Sequence, residues 1–121
     1  MKNPSPTIAL VENDNATAVA LGRLLRAQGF TVEIYVSGEA FLARSPDAFP
    51  DCLLLDINLD GMSGLDLQRV LGPGALPVIL MTGRSDPQTE RLAREQGCCA
   101  YLQKPFDAGQ LNAAIACALS R

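Results

Sequence analysis

Short apolar runs alternate along this chain with segments whose apolar residues recur at helical spacing. That alternation predicts a parallel sheet covered by helices on both faces. Ile8-Ala9-Leu10-Val11 reads as the first strand. Ala20, Leu21, Leu24 and Leu25 then fall on one helical face, and Gly29 is placed to close that helix. Val32, Ile34 and Val36 alternate with Thr31, Glu33 and Tyr35, which predicts a second strand with one wetter face, at an edge of the sheet. Ser37 is placed to cap a short helix through Phe41 and Leu42, stopped by Ser45-Pro46.

Cys52-Leu53-Leu54-Leu55 is a third strand ending on Asp56. Ser63 with Asp66 three residues on has the form of a capping box, opening a helix that Gly72-Pro73-Gly74 ends. Val78-Ile79-Leu80-Met81 runs as a fourth strand into Thr82-Gly83, and Asp86-Pro87 starts the next helix. That helix, 86–96, is unusually polar, with only Leu92 and Ala93 clearly apolar, which predicts weak anchoring or completion against a partner. Ala100-Tyr101-Leu102 is a short fifth strand leading to Lys104-Pro105. Asp107 and Gln110 form a second box-like cap, followed by Leu111, Ala114, Ile115, Ala118 and Leu119 at amphipathic spacing. The expected architecture is a doubly wound (βα)5 α/β fold, flavodoxin-like, with residues 1–6 as a loose arm and 7–121 as one domain.

Composition narrows the function classes. At 121 residues and 48% hydrophobic, the chain has one core's worth of material. No apolar stretch approaches the roughly 20 residues that span a bilayer, so a soluble, cytoplasmic protein with no membrane partner is expected. Net charge is −3 with acids and bases interspersed, so no basic stripe stands ready for nucleic acid. The chain has four cysteines and no histidine. Cys52, Cys98, Cys99 and Cys117 lack a Cys-x-x-Cys spacing and read as small hydrophobes, not as zinc ligands.

The chemistry collects at strand ends. The first strand leads into Glu12-Asn13-Asp14, the third ends on Asp56, the fourth on Thr82, and the fifth leads to Lys104. In a parallel sheet all of these lie at one end, where open α/β folds bind their ligands. Carboxylates, an amide, a hydroxyl and an ammonium around one point suit a hard divalent cation beside a phosphoryl group. Taken singly, Asp56 also reads as a strand-end acid satisfied by Lys104, Glu12-Asn13-Asp14 as a helix cap, and Tyr101 as a rim aromatic.

In these residues the chain resembles the receiver domain of bacterial two-component response regulators, the chemotaxis-receiver-like family. The resemblance rests on Val11-Glu12-Asn13-Asp14, Leu55-Asp56, Met62-Ser63-Gly64, Met81-Thr82-Gly83 and Tyr101-Leu102-Gln103-Lys104-Pro105-Phe106, in order. It implies that Asp56 accepts a phosphoryl group from a histidine kinase, a phosphotransfer protein or a small acyl phosphate. It further implies Mg²⁺ (or Mn²⁺) held by Glu12, Asn13, Asp56 and the backbone carbonyl of Asn58, and Lys104 on the phosphoryl group or Asp56. Thr82 would move to the phosphoryl and Tyr101 would follow it, remodelling the face of the fourth helix, fifth strand and fifth helix. That face is the expected site of a downstream partner or a homodimer. Lys104-Pro105 would be cis. Such a domain regulates and is not an enzyme in its own right, beyond accepting and slowly losing its own phosphoryl group. Its output is either by contact or through a further domain of a longer chain.

Two departures from the family pattern stand out. Asn13 replaces a ligating acid, which predicts weaker metal binding, and Asp60 replaces a loop proline. Whether Asp60 restores the missing charge, or Glu12 reaches the ion with its extra methylene, the sequence leaves open. Asn13 also keeps alive an alternative function, a receiver that works as a phosphorylation-independent interaction module. A phosphatase with an aspartate nucleophile is disfavoured, because Asn58 stands where its second carboxylate would be.

Overall fold

The computed structural model describes residues 5–74 and 76–120; residues 1–4 of the expected N-terminal arm lie outside them. The chain alternates strictly as β1 (Thr7–Val11), α1 (Asn15–Ala27), β2 (Thr31–Tyr35), α2 (Gly38–Leu42), β3 (Cys52–Asp56), α3 (Gly64–Leu71), β4 (Val78–Thr82), α4 (Pro87–Glu95), β5 (Ala100–Gln103) and α5 (Ala108–Leu119). The strands form one parallel sheet in the order β2-β1-β3-β4-β5. Strand order therefore reverses between β1 and β3, and the crevice there opens at their carboxyl ends.

Each face of the sheet carries its own core. Ile8, Leu10, Cys52, Leu54, Ile79 and Met81 meet Ala18 and Leu25 of α1 and Leu111, Ala114, Ile115 and Ala118 of α5. The alternate residues Ala9, Val11, Leu53, Leu55, Val78 and Leu80 meet Phe41, Leu67 and Ala93 from α2, α3 and α4. The three central strands are thus buried on both sides, which is why their sequences are continuous apolar runs.

The caps lie where the sequence puts them. Asp14, Ser37, Ser63, Asp86 and Asp107 each accept a hydrogen bond from the backbone two or three residues into the following helix, with reciprocal boxes at Ser63/Asp66 and Asp107/Gln110. Gly29 follows the C-cap of α1 with φ of 97°, a conformation that favours glycine. Backbone bonds from Ser63 and Thr89 hold the Asp66 and Asp86 carboxyls below the usual range, and the Thr17 hydroxyl does the same for Asp14.

Three expectations change. The alternation in β2 does not sort into a dry and a wet face. Val32 is buried, but Ile34 and Val36 are exposed, while Tyr35 on the opposite side packs edge-on against Phe41 with ring centroids 5.2 Å apart. An edge strand has a helix over only part of each face, so periodicity alone misplaces its exposure. Helix α4 is also better anchored than its composition implies. Buried Gln68 of α3 donates from Nε2 to the Ala93 carbonyl at 3.0 Å, and Gln96 donates from Nε2 to Gln68 Oε1 at 2.7 Å. Leu92, by contrast, stays exposed. Finally, the cysteines differ among themselves. None is in a disulfide; Cys52 is a core residue whose thiol burial pushes up to about 12, whereas Cys117 is exposed.

The amide bridge between α3 and α4 generates a prediction. Gln68→Ala leaves the Ala93 carbonyl and one amide hydrogen of half-buried Gln96 without these partners. Denaturant titration is expected to show a loss of about 2 kcal/mol. A midpoint unchanged from wild type would show that the bridge contributes nothing.

Candidate functional site

The crevice at the β1–β3 switch holds a three-membered charge cluster. Glu12 leaves the end of β1 and Asp56 ends β3; both are almost wholly buried, at 2% and 4% exposure. Lys104, one residue beyond β5, lies between them. Its Nζ donates to Glu12 Oε1 and to Asp56 Oδ2, each at 2.8 Å. Its position is set from below by its own backbone N–H, which donates to the Thr82 carbonyl at 2.8 Å. The following Lys104–Pro105 peptide is cis, as the family resemblance implied.

The remaining oxygens of the two acids are also engaged. Glu12 Oε2 accepts from the Asp14 backbone N–H at 3.1 Å, and Asp56 Oδ1 accepts from the Asn58 N–H at 2.8 Å. Burial pushes the Glu12 carboxyl above its ordinary range, against the bond from Lys104 that pulls it down. Burial works to lower the Lys104 ammonium, but its bonds to Asp56 and Glu12 outweigh it and hold lysine above its usual value. Two carboxylates against one ammonium leave the cluster one negative charge in excess.

Asn58 joins the cluster to the Thr82 hydroxyl. While its backbone fixes Asp56, its side-chain Oδ1 lies 2.9 Å from Thr82 Oγ1, which is fully buried at the end of β4. Thr82 Oγ1 has a second acceptor in the Arg84 carbonyl at 3.0 Å, and itself accepts from the Arg84 N–H at 3.1 Å. As a site residue Asn58 was implied by the family resemblance only through its carbonyl; the reach of its side chain across 24 residues carries no sequence signal. Tyr101 is the residue the structure leaves apart. It packs half-buried against the α4-side core, with its hydroxyl 2.9 Å from Ser85 Oγ in the β4–α4 loop.

The β3–α3 loop is held to the strand by close approach. At Gly64, the first residue of α3, a Cβ would overlap the Asp56 carbonyl oxygen and come within 2.7 Å of Ile57 Cα. The Gly64 N–H donates to the Ile57 carbonyl at 3.0 Å. From the other side, Glu39 of α2 accepts the Met62 N–H at 3.0 Å. Near the mouth, exposed Asn13 donates from Nδ2 to Asp60 Oδ2 at 3.3 Å. Beside Lys104 a cavity of about 420 Å³ opens between α1 and the β5–α5 loop, lined by Ala16, Thr17, Ala20, Leu21, Pro105 and Phe106.

The donors fit a hard divalent cation. Glu12, Asp56, the Asn13 amide and the Asn58 carbonyl offer oxygen only, and the cluster's excess negative charge favours a cation. Among the described residues no three acidic, histidine or cysteine side chains form a ready-made cage.

Removing the ammonium should expose the cost of burying two acids. Lys104→Met is expected to lower stability by about 3 kcal/mol near neutrality, measured by denaturant titration. The loss should shrink as pH falls, since the buried acids then bind a proton more readily folded than unfolded. In the wild type the sign reverses. The contribution of Lys104 is complete below the ordinary lysine pKa and is lost as pH rises through its elevated folded value. A Lys104→Met protein equally destabilised at pH 5 and pH 8 would contradict this account.

Known proteins agree with the fold. A family model described as the response regulator receiver domain matches residues 8–116. The DNA-binding response regulator MtrA of Mycobacterium leprae is 33% identical over 115 residues, 94% of this chain and 51% of the relative. The sensory transduction protein RegX3 of Mycobacterium tuberculosis is 35% identical over 116 residues, 95% of this chain and 51% of its own length. The chain thus spans about half the length of these curated relatives. A response regulator receiver protein from Burkholderia phymatum superposes with a TM-score of 0.85 at 34% identity, covering 96% of each chain. No helix among the described residues is long and apolar enough to cross a membrane. Since the family match runs through every strand and the structural match covers nearly the whole chain, this protein belongs to the response regulator receiver domain family of two-component signalling.

Proposed function

We propose that this domain is a phosphoacceptor switch in which Asp56 takes a phosphoryl group from the phosphohistidine of a histidine kinase or phosphotransfer protein. The observation that carries this reading is the buried Asp56 carboxylate, paired with Lys104 at 2.8 Å in the strand-switch crevice. An Asp56 oxygen attacks phosphorus, the O–P bond forms as the donor's N–P bond breaks, and the departing imidazole retains the electron pair and takes up a proton. Lys104, already oriented, meets the negative oxygens of the transferring group. Mg²⁺ or Mn²⁺, when bound by Glu12, Asn13, Asp56 and the Asn58 carbonyl, neutralises phosphoryl charge. Thr82 gives up its bond to Asn58 for a phosphoryl oxygen. Tyr101 then exchanges Ser85 for an inward position, which alters the surface of α4, β5 and α5.

That surface is the proposed contact for a downstream partner or a second copy. An output domain, if the natural chain continues, would read the same change. A cytoplasmic location, slow self-dephosphorylation and no direct nucleic-acid contact by this domain belong to the same reading. The apolar cavity beside Lys104 offers a footing for the donor protein, because it adjoins the lysine that pairs with Asp56.

Incubation with acetyl phosphate and Mg²⁺ is expected to add one phosphoryl mass to the wild type and none to Asp56→Asn. Leu21→Glu, at the cavity, should keep labelling by acetyl phosphate and lose labelling by a kinase. Absence of any mass gain, with no spectral response to beryllofluoride, would favour a phosphorylation-independent interaction module. Asn13 is the observation that supports this second reading. In the proposed switch, calorimetric titration of Mg²⁺ should show tighter binding to Asn13→Asp than to wild type; equal affinities would contradict that ligand assignment.

A further inference from the structure

Resting on the cation site proposed above, we propose that Asp60 is a positioning residue for the divalent ion. It holds the Asn13 amide by its nitrogen so that the amide oxygen meets the cation. It also restores at the mouth the negative charge that an amide at position 13 omits. Asn13 Nδ2 donates to Asp60 Oδ2 at 3.3 Å, a contact between the β1–α1 and β3–α3 loops across 47 residues. An ionised carboxylate only accepts hydrogen bonds, so it discriminates between the two ends of the amide. With Asp60 on Nδ2, the Asn13 Oδ1 is left for another partner, and no donor among the described residues engages it.

Charge points the same way. Glu12 and Asp56 share Lys104, so the inner cluster offers a dication one net negative charge. Asp60 makes it two. A carboxylate behind a ligating group also raises the basicity of that ligand, and outer partners of this kind typically change metal affinity by about 10- to 100-fold. Asp60 is exposed, so solvent screening places its effect near the lower figure.

The test is calorimetric titration of Mg²⁺ into the unphosphorylated domain, with Mn²⁺ binding by electron paramagnetic resonance as a second readout. Asp60→Ala is expected to weaken affinity about tenfold. Asp60→Asn, which keeps an acceptor without the charge, should fall between, and Asp60→Glu should recover part of the loss. In an Asn13→Ala background, Asp60→Ala should lose the part of its effect that acts through the amide, because no amide remains to be oriented. Thermal melting without metal should be the same for wild type and Asp60→Ala. Equal Mg²⁺ affinity in Asp60→Ala and wild type would overturn the role of Asp60 alone. An effect undiminished by Asn13→Ala would overturn the positioning role in favour of bulk electrostatics. A wild type that binds neither ion would remove the cation site itself and this role with it.

Discussion

One ammonium group makes the rest of this structure possible. Glu12 and Asp56 emerge from neighbouring strands into a crevice with almost no access to water, and two bare carboxylates there would repel each other and resist burial. Lys104 reaches both at 2.8 Å and offsets their charge. Because it bridges β1, β3 and the end of β5, the lysine also ties together the carboxyl ends of strands that the sheet holds apart. Burial, charge balance and the shape of the crevice therefore meet in the same three side chains.

The topology explains why such a cluster can exist at all. Reversal of strand order between β1 and β3 leaves a gap above the sheet that no crossover helix fills. The apolar runs below that gap are rigid and doubly covered, so they present their last residues at fixed heights. Around this platform the loops supply what must be adjustable. Asn58 links the Asp56 carboxylate to the Thr82 hydroxyl, Ser85 holds Tyr101, and Glu39 steadies the loop backbone at Met62.

Much of this was legible in the residues, and what was not has a physical reason. Strands such as Leu53-Leu54-Leu55 declare themselves because burial on both faces leaves no place for a polar side chain. Ser63 with Asp66, and Asp107 with Gln110, declare helix starts because unpaired backbone N–H groups require acceptors at a set spacing. Glu12, Asp56, Thr82 and Lys104 were found because parallel strands deliver their ends to one place. The bond between Asn58 and Thr82, the Gln68–Gln96 bridge and the pairing of Asn13 with Asp60 depend on side-chain rotamers across 24, 28 and 47 residues. No local pattern encodes those. Ile34 was misplaced for a related reason, since its exposure depends on where α1 stops covering an edge strand.

The contact at Gly64 has a wider consequence. With no room even for a methyl group against the Asp56 carbonyl, the path of the loop from Ile57 to α3 is held to the tolerance of a single atom. A loop clamped so tightly at its ends behaves as a rigid bracket whose fittings are interchangeable. Side chains at positions such as 58 and 60 can be exchanged over generations while the backbone that carries them keeps its course. Chemical variation among related domains can then accumulate one fitting at a time, without the fold having to be rebuilt around each change.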